Sequence, residues 1–208
     1  MKKLMLSVYA LAAFSLLMAS TGFAAGTLGI YTDPAGDPGT VHYAATPFVP
    51  FTVYLVLTDP VNNTFNGGTD TNNQINWIGG FECKVNMPLS ASFAKVSENY
   101  PVAKVNVGEY PYYVVGYSGS IPVSNNAVVL CTWEFVVQDV TAMNVYLDKT
   151  RFPSIDGEMA ILDGGDGDRL VPVYVSSGSV DAPVFSINGS DAVATDVKSW
   201  GNVKALFR

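Results

Sequence analysis

Short runs of apolar residues alternate with turn residues along most of the chain. Runs such as "VPFTVYLVLTD", "AVVLCTWEFVVQ" and "RLVPVYVSS" are rich in β-branched and aromatic residues. They are separated by segments such as "DPAGDPG", "VSNN" and "DGGDGD". Up to about Asp191, no window keeps a helical period. The pattern predicts an all-β chain of the antiparallel β-sandwich or barrel type.

Two of these runs alternate clearly enough to assign faces, because successive side chains of a strand point to opposite sides. "VLCTWEFVV" divides into an apolar set (Val129, Cys131, Trp133, Phe135, Val137) and a mixed set (Leu130, Thr132, Glu134, Val136). In "GFECKV", Phe81, Cys83 and Val85 lie opposite Glu82 and Lys84. We expect the apolar sets to face the core.

The chain has two cysteines, Cys83 and Cys131, and both fall on predicted inward faces. In an exported protein an even number of cysteines favours a disulfide. The sequence therefore predicts a Cys83–Cys131 bridge between paired core strands, and the alternative is two free, buried thiols.

The first 25 residues have the form of a secretory signal peptide. "MKK" is followed by the apolar run "LMLSVYALAAFSLLMAS" and by small residues in "TGFAAG". The run is shorter than the roughly 20 residues that span a bilayer. We expect cleavage near Ala24 or Ala25, export to the medium or the cell surface, and a mature chain without a transmembrane segment.

Charge narrows the classes of partner. Without Lys2 and Lys3, 9 basic residues stand against 18 acidic ones, so the formal charge moves from −7 to −9. An acidic chain that is sparse in Lys and Arg is repelled by nucleic acid and by anionic membranes. We therefore expect no nucleic-acid partner.

The order of segments resembles that of the cohesin-like domains of bacterial extracellular proteins. The resemblance runs from "PFTVYLVLTD" through "IGGFECKVNMPLSASFAKVS", "YYVVGYSGS" and "VVLCTWEFVV" to "RLVPVYVSSGSV". It covers about Phe51 to Val180. It implies a jelly-roll sandwich of about nine strands. It also implies non-covalent attachment, since cohesins bind dockerin modules, while related sandwiches bind carbohydrate or build surface structures.

The resemblance further implies a binding face on the middle strands. The matching outward positions are Glu82, Lys84, Tyr113, Tyr117, Thr132 and Glu134. Tyr113 and Tyr117 are the expected anchors, because large aromatic side chains on a sheet face commonly contribute most to binding. The alternative is that both rings pack under a neighbouring loop.

Catalytic and metal motifs are weak. "GYSGS" at Gly116–Ser120 departs from a nucleophile elbow at its last position, and the one histidine, His42, lies far upstream. Asp163, Asp166 and Asp168 in "DGGDGD" are a weak Ca²⁺ candidate, although Asp-Gly pairs more often make a hairpin turn. We expect no catalytic residues and no cofactor other than this Ca²⁺ candidate.

The last residues differ from the rest of the chain. After "VFSING" the strand pattern stops, so we place the sandwich at residues 26–187 and a linker with a tail at residues 188–208. Trp200, Val203, Leu206 and Phe207 share one side of a short helical period, and Lys204 and Arg208 lie near its end. The tail is expected to order only against its own sandwich, a second subunit, or a sorting apparatus.

These features favour a secreted, non-enzymatic β-sandwich that binds another protein or assembles at the cell surface. A carbohydrate-binding module that stacks tyrosine and tryptophan rings on a polysaccharide is the alternative. A hydrolase ranks last, because the sequence places no nucleophile, base and orienting group together.

Overall fold

The computed structural model describes residues 26–62, 73–165 and 169–189. Within them the chain forms strands and one short 3₁₀ turn at Pro38–Thr40. The strands are β1 (Thr27–Tyr31), β2 (His42–Tyr43), β3 (Phe51–Thr58), β4 (Val61–Asn62), β5 (Asn73–Gln74), β6 (Trp77–Asn86), β7 (Phe93–Asn99), β8 (Lys104–Asn106), β9 (Tyr112–Pro122), β10 (Ala127–Val137), β11 (Met143–Asp148), β12 (Met159–Asp163), β13 (Arg169–Val175) and β14 (Phe185–Ile187).

Twelve of these strands belong to one hydrogen-bonded path that forms both layers of the sandwich. The first sheet has the order β7-β10-β3-β1-β13. In the second sheet β8 pairs with β9 and β9 with β6, while the other edge of β6 pairs with β12 and β11. The β12–β13 ladder joins the sheets, and β14 and β2 extend the path beyond β11.

The predicted all-β, antiparallel sandwich is confirmed, with two local differences. The β1–β13 and β14–β2 pairs are parallel. The strand count exceeds the expected nine or so because several short pieces, such as β2, β8 and β14, lie at the ends of the path.

The two sheets meet in one apolar core. Tyr113 of β9 packs edge-on against Trp133 of β10, with ring centroids 5.9 Å apart. The Tyr117 hydroxyl donates a hydrogen bond to the Leu130 carbonyl oxygen at 2.6 Å. Both contacts cross from the second sheet to the first, so β9 and β10 face each other over the core.

The predicted alternation holds with one correction on β10. Phe81, Cys83 and Val85 are buried as expected, and so are Cys131, Trp133, Phe135 and Val137. Leu130 is fully buried, whereas Val129 is only half-buried, because a register shift against β3 lies between Val129 and Cys131. A bulge of this kind places two residues opposite one and reverses the faces on one side of it.

Candidate functional site

The outer face of the second sheet carries a shallow groove lined mostly by apolar residues. Its side chains come from two cross-strand rows, because residues directly opposite each other in neighbouring strands share a face. One row contains Val105, Gly116, Gly80, Leu162 and Leu170. The second row contains Val107, Val114, Glu82 and Ala160. We call this surface the outer groove.

Two glycines at the centre of the first row make the depression. A Cβ on Gly80 would lie 2.4 Å from the Val115 carbonyl oxygen, so β6 and β9 need glycine there to pair closely. A Cβ on Gly116 would meet nothing within 4 Å, so the space above Gly116 is open. The exposed Val105 and Leu170 stand on either side. The outer groove has a volume of about 310 Å³.

The Glu82 carboxylate, in the floor of the outer groove, already accepts hydrogen bonds from within the chain. Glu82 is 4% exposed. It accepts a hydrogen bond from the Ser154 backbone amide at 2.7 Å and one from the Ser154 hydroxyl at 2.9 Å. The loop that carries Ser154 therefore closes one side of the outer groove and covers its charge.

The other side chains that line the outer groove are aliphatic or aromatic, or are absent at glycine. Val105 on β8 is 66% exposed, and Val107, just after the end of β8, is 74% exposed. Such a surface can bury apolar area against a partner. Among the lining residues, Glu82 and Ser154 are the polar pair and bond to each other, so the outer groove offers contact area and not acid–base chemistry.

The prediction that Tyr113 anchors a binding face is wrong. Tyr113 is 2% exposed and lies opposite Cys83 in the β6–β9 ladder, so both side chains point into the core. Tyr117 is half-buried, packs against the core, and donates its hydroxyl hydrogen to Leu130. The rings pack between the sheets, which differs also from the expected alternative of packing under a loop.

The other predicted face residues do not form one surface. Glu82 is buried under the Ser154 loop. Lys84 is half-buried, and its Nζ lies 5.9 Å from the Tyr112 ring centroid. Thr132 and Glu134 are half-buried on β10, in the first sheet. The resemblance had grouped strands that lie in opposite layers, so this set cannot make a single contact.

A hydrogen-bonded cluster around Glu98, between β7 and β9, was not predicted from the sequence. The Glu98 carboxylate accepts hydrogen bonds from Tyr100 Oη at 2.7 Å, Tyr113 Oη at 2.9 Å and Trp133 Nε1 at 3.1 Å. It also forms an ion pair with Lys95. Burial acts to raise the pKa of Glu98, but these donors outweigh burial and lower the pKa to about 2. Glu98 thus ties the second sheet to the first.

Cys83 and Cys131 are free, buried thiols, so the predicted disulfide is absent. They lie in different sheets: Cys83 is opposite Tyr113 in β9, and Cys131 is opposite Leu55 in β3. The expectation of paired strands was therefore wrong. Burial raises the pKa of both thiols, and for Cys83 the nearby Cys131 raises it further.

Asp163, the described member of the calcium candidate, makes contacts of its own. It is buried at the end of β12, and its Oδ1 accepts a hydrogen bond from the Gly165 amide at 3.0 Å. Asp163 and Arg169 face each other in the β12–β13 ladder, so the segment between them connects a hairpin. Asp166 and Asp168 lie outside the described residues. Within the described ranges no group of three acidic, His or Cys side chains could hold a metal ion.

Two further predictions fall outside the described residues. These are the signal peptide at residues 1–25 and the tail residues Trp200, Val203, Leu206 and Phe207. In the part of the chain that the structure describes, no helix has the length and apolar character needed to cross a membrane.

Comparison with known proteins gives similarities at the level of structure. No family model matches the chain, and no curated protein matches it by sequence. Among solved structures, a type II cohesin domain from the cellulosome of Acetivibrio cellulolyticus matches with a TM-score of 0.45 and 12% identity. That match covers 81% of this chain and 98% of the other.

Two further solved structures give similar values. A cohesin module from a family 33 glycoside hydrolase of Clostridium perfringens matches with a TM-score of 0.43 and 10% identity, over 73% of this chain and 91% of the other. A non-cellulosomal cohesin from Archaeoglobus fulgidus matches with a TM-score of 0.39 and 12% identity, over 73% and 86%. All three are cohesin modules. At such identities the likeness to cohesin modules concerns the fold alone.

Proposed function

We propose that this chain is a secreted, non-enzymatic β-sandwich that attaches to another protein through the outer groove. The observation that carries the proposal is an apolar surface on a sheet face that no segment among the described residues covers. Val105, Val107 and Leu170 are exposed together around a glycine floor. Soluble domains rarely leave contiguous apolar surface open unless it serves a contact.

The chemistry of the lining residues supports attachment over catalysis. The core of a protein interface is depleted of charge and enriched in apolar side chains. In the outer groove the carboxylate of Glu82 is capped by Ser154, so a partner meets little unpaired polarity. The signal-peptide pattern of residues 1–25 supports a site of action outside the cytoplasm or at the cell surface.

A pair of glycine variants in one strand tests the proposal. Gly116→Val places a side chain in the outer groove, where a Cβ meets nothing within 4 Å. Gly119→Val is the matched control, since its Cβ also meets nothing within 4 Å and Gly119 does not line the outer groove. Both substitutions should leave the melting temperature unchanged or slightly higher, because valine suits a strand better than glycine.

The measurement has two stages. Immobilised residues 26–208 are used to capture proteins from the medium and the cell envelope of the source culture, and each captured protein is then purified for a binary titration. We expect Gly116→Val to weaken binding at least about tenfold, or about 1.4 kcal/mol, while Gly119→Val binds like the unmodified chain. Equal affinity of the two variants would contradict the proposal, and so would the absence of any captured protein.

A further inference from the structure

A second exposed apolar surface lies at the end of the sandwich where β10 finishes and β3 begins. Phe48 and Val49 precede β3, Val140 follows β10, and Leu89 follows β6. Phe48 is 72% exposed and Leu89 is 99% exposed. The Phe48 amide donates a hydrogen bond to the Val137 carbonyl oxygen at 2.7 Å, which fixes the Phe48 turn against the end of β10. We call Phe48, Val49, Leu89 and Val140 the end patch.

The backbone of Phe48 has an unfavourable conformation, although the Phe48 ring is exposed. Its φ is 61°, in the left-handed region that glycine and asparagine occupy most easily. A bulky side chain in this region crowds the following carbonyl group and destabilises the fold. The fold thus presents an apolar ring to solvent at a cost in stability, which is expected of a contact residue and not of an ordinary turn.

The described chain ends beside this surface. The Asn188 amide donates to the Tyr43 carbonyl oxygen at 2.9 Å. Asn188 Oδ1 accepts a hydrogen bond from the Ala45 amide at 2.7 Å, and Asn188 Nδ2 donates to the Asp139 carbonyl oxygen at 3.5 Å. These bonds hold the start of the C-terminal segment between the strand that leads to Phe48 and the residue that precedes Val140.

Two polar atoms near this exit have no hydrogen-bond partner among residues 26–62, 73–165 and 169–189. They are His42 Nδ1 on β2 and Ser186 Oγ on β14, which lie opposite each other in the β2–β14 ladder. Ser186 is 1% exposed, and a Cβ on Gly189 would lie 2.1 Å from its hydroxyl oxygen. A buried polar group without a hydrogen-bond partner destabilises the fold, so a donor or acceptor is expected at this place. The residues that follow Gly189 along the chain begin with Ser190 and Asp191, which carry suitable side chains.

The C-terminal segment has the composition that this end of the sandwich requires. It offers Trp200, Val203, Leu206 and Phe207 as apolar side chains. Residues 26–189 contain 16 acidic and 6 basic residues, whereas residues 197–208 contain 3 basic residues and no acidic one. Opposite charge therefore favours contact between residues 197–208 and the sandwich, while Asp191 and Asp196 lie in the connection that precedes them.

We propose that residues 190–208 of the same chain fold back onto the end patch and place Trp200 and the following apolar residues against Phe48 and Val140. The ten residues between Gly189 and Trp200 span at most about 35 Å when extended, so the end patch next to Gly189 is within reach. A short covalent connection also gives the segment an effective concentration in the millimolar range at this surface. The inference does not depend on the partner proposed for the outer groove.

Fluorescence of Trp200 tests the inference in the chain that lacks the predicted signal peptide, residues 26–208. Of the three tryptophans, Trp133 is buried and Trp77 is half-exposed, so a Trp77→Phe background leaves the buried Trp133 and Trp200 as the two emitting rings. The Trp200 signal is the difference between this background and the same chain with Trp200→Phe. A free peptide of residues 196–208 is the reference for a solvent-exposed ring.

If the C-terminal segment is docked, Trp200 should emit at a shorter wavelength than the free peptide. Acrylamide should quench it severalfold less than the peptide at every protein concentration. Phe48→Asn combined with Val140→Ser should restore peptide-like quenching, while Val96→Ser, an exposed valine on β7, should not. Circular dichroism confirms that each variant is folded.

Three results would overturn the inference. Quenching of Trp200 as strong as in the peptide means that the segment is not docked. Protection that grows with protein concentration, together with a dimer mass by light scattering, assigns the segment to a second copy. Trp200 could also lose its protection in Gly116→Val and keep it in the Phe48→Asn and Val140→Ser double variant. That result would place the C-terminal segment in the outer groove.

Discussion

The outer faces of the two sheets both carry apolar side chains, but the described residues cover only one of them. On the first sheet, Tyr31 and Val56 are buried together with Val41, which follows the loop of residues 32–40. A hydrogen bond from the Thr32 amide to the Thr40 carbonyl oxygen, at 3.0 Å, closes this loop over the sheet. On the second sheet, Val105 and Val107 are exposed around the outer groove, and Leu170 of the adjoining β13 is exposed at its border.

This difference separates stability from recognition within one sandwich. Apolar area that a loop covers contributes to folding at about 25 cal/mol per Å². Apolar area that stays open contributes little to folding and is available to a partner. The two faces should therefore respond differently to the same kind of substitution.

The largest effect is expected on the covered face. Tyr31→Ala removes a ring that is 3% exposed and leaves a cavity under the loop of residues 32–40. Removing a buried aromatic side chain costs about 3 kcal/mol or more. Urea denaturation should show a loss of this size in the free energy of unfolding. A loss below about 0.5 kcal/mol, as at an ordinary surface site, would mean that the face is not a covered core.

The next effect concerns Glu98, which joins the two sheets at their open edge. Its pKa of about 2 in the folded chain lies below the 4.5 of an unperturbed glutamate. Because the folded-state pKa is lower, the carboxylate stabilises the fold at pH values above 4.5, and this contribution is lost as the pH falls towards 2. The full contribution is up to about 3 kcal/mol.

Glu98→Gln should therefore lower stability at pH 7 and flatten its dependence on pH between 5 and 2. Urea titrations at several pH values measure both quantities. Glu134→Gln is the control, since Glu134 is a half-buried carboxylate on β10. An equally steep fall in stability for Glu98→Gln and the unmodified chain would contradict the assignment.

A smaller effect is expected at Tyr117, on the inner side of the strand that forms the groove floor. Tyr117→Phe keeps the ring and removes the hydrogen bond from its hydroxyl to the Leu130 carbonyl oxygen. Loss of such a bond typically costs about 1 kcal/mol. Differential scanning calorimetry should show a small fall in melting temperature. An unchanged melting temperature would mean that the bond between the sheets adds nothing.

The smallest effect on stability is expected in the outer groove. Leu170→Ser changes a side chain that lines the outer groove and is 39% exposed. The free energy of unfolding should change by less than about 0.5 kcal/mol, as at most surface sites. The same urea assay used for Tyr31→Ala allows a direct comparison. A loss as large as that of Tyr31→Ala would show that the groove wall is part of the core.

Much of the fold could be predicted from the sequence because strand periodicity depends on local composition. Phe81, Cys83 and Val85 alternate with polar residues and proved to face inward. The burial of Leu130 in place of Val129 could not be predicted, because the bulge arises from pairing with β3. Such a register shift depends on residues more than 70 positions away along the chain, such as Leu55.

The candidate site was harder to predict because it depends on strand register. "PYYVVGYSG" contains adjacent tyrosines, and periodicity alone does not say which one faces inward. The pairing of Cys83 with Tyr113 decides this, and Glu98 then supplies a partner for the Tyr113 hydroxyl. The outer groove requires Gly80 to lie opposite Gly116 and Leu162, which no short sequence motif encodes.

The most direct test of the central claim is the alkylation rate of a cysteine introduced in the outer groove, compared with one introduced at an exposed site elsewhere. Val105→Cys puts a thiol in the outer groove, and Val96→Cys puts one on β7 as a control. The native thiols, Cys83 and Cys131, are buried, and burial raises their pKa, so they should react slowly in the folded chain. The account predicts fast alkylation of both new cysteines in the free domain, and protection of Val105→Cys alone when the captured partner is bound. Slow alkylation of Val105→Cys in the free monomer, or equal rates with and without the partner, would contradict it.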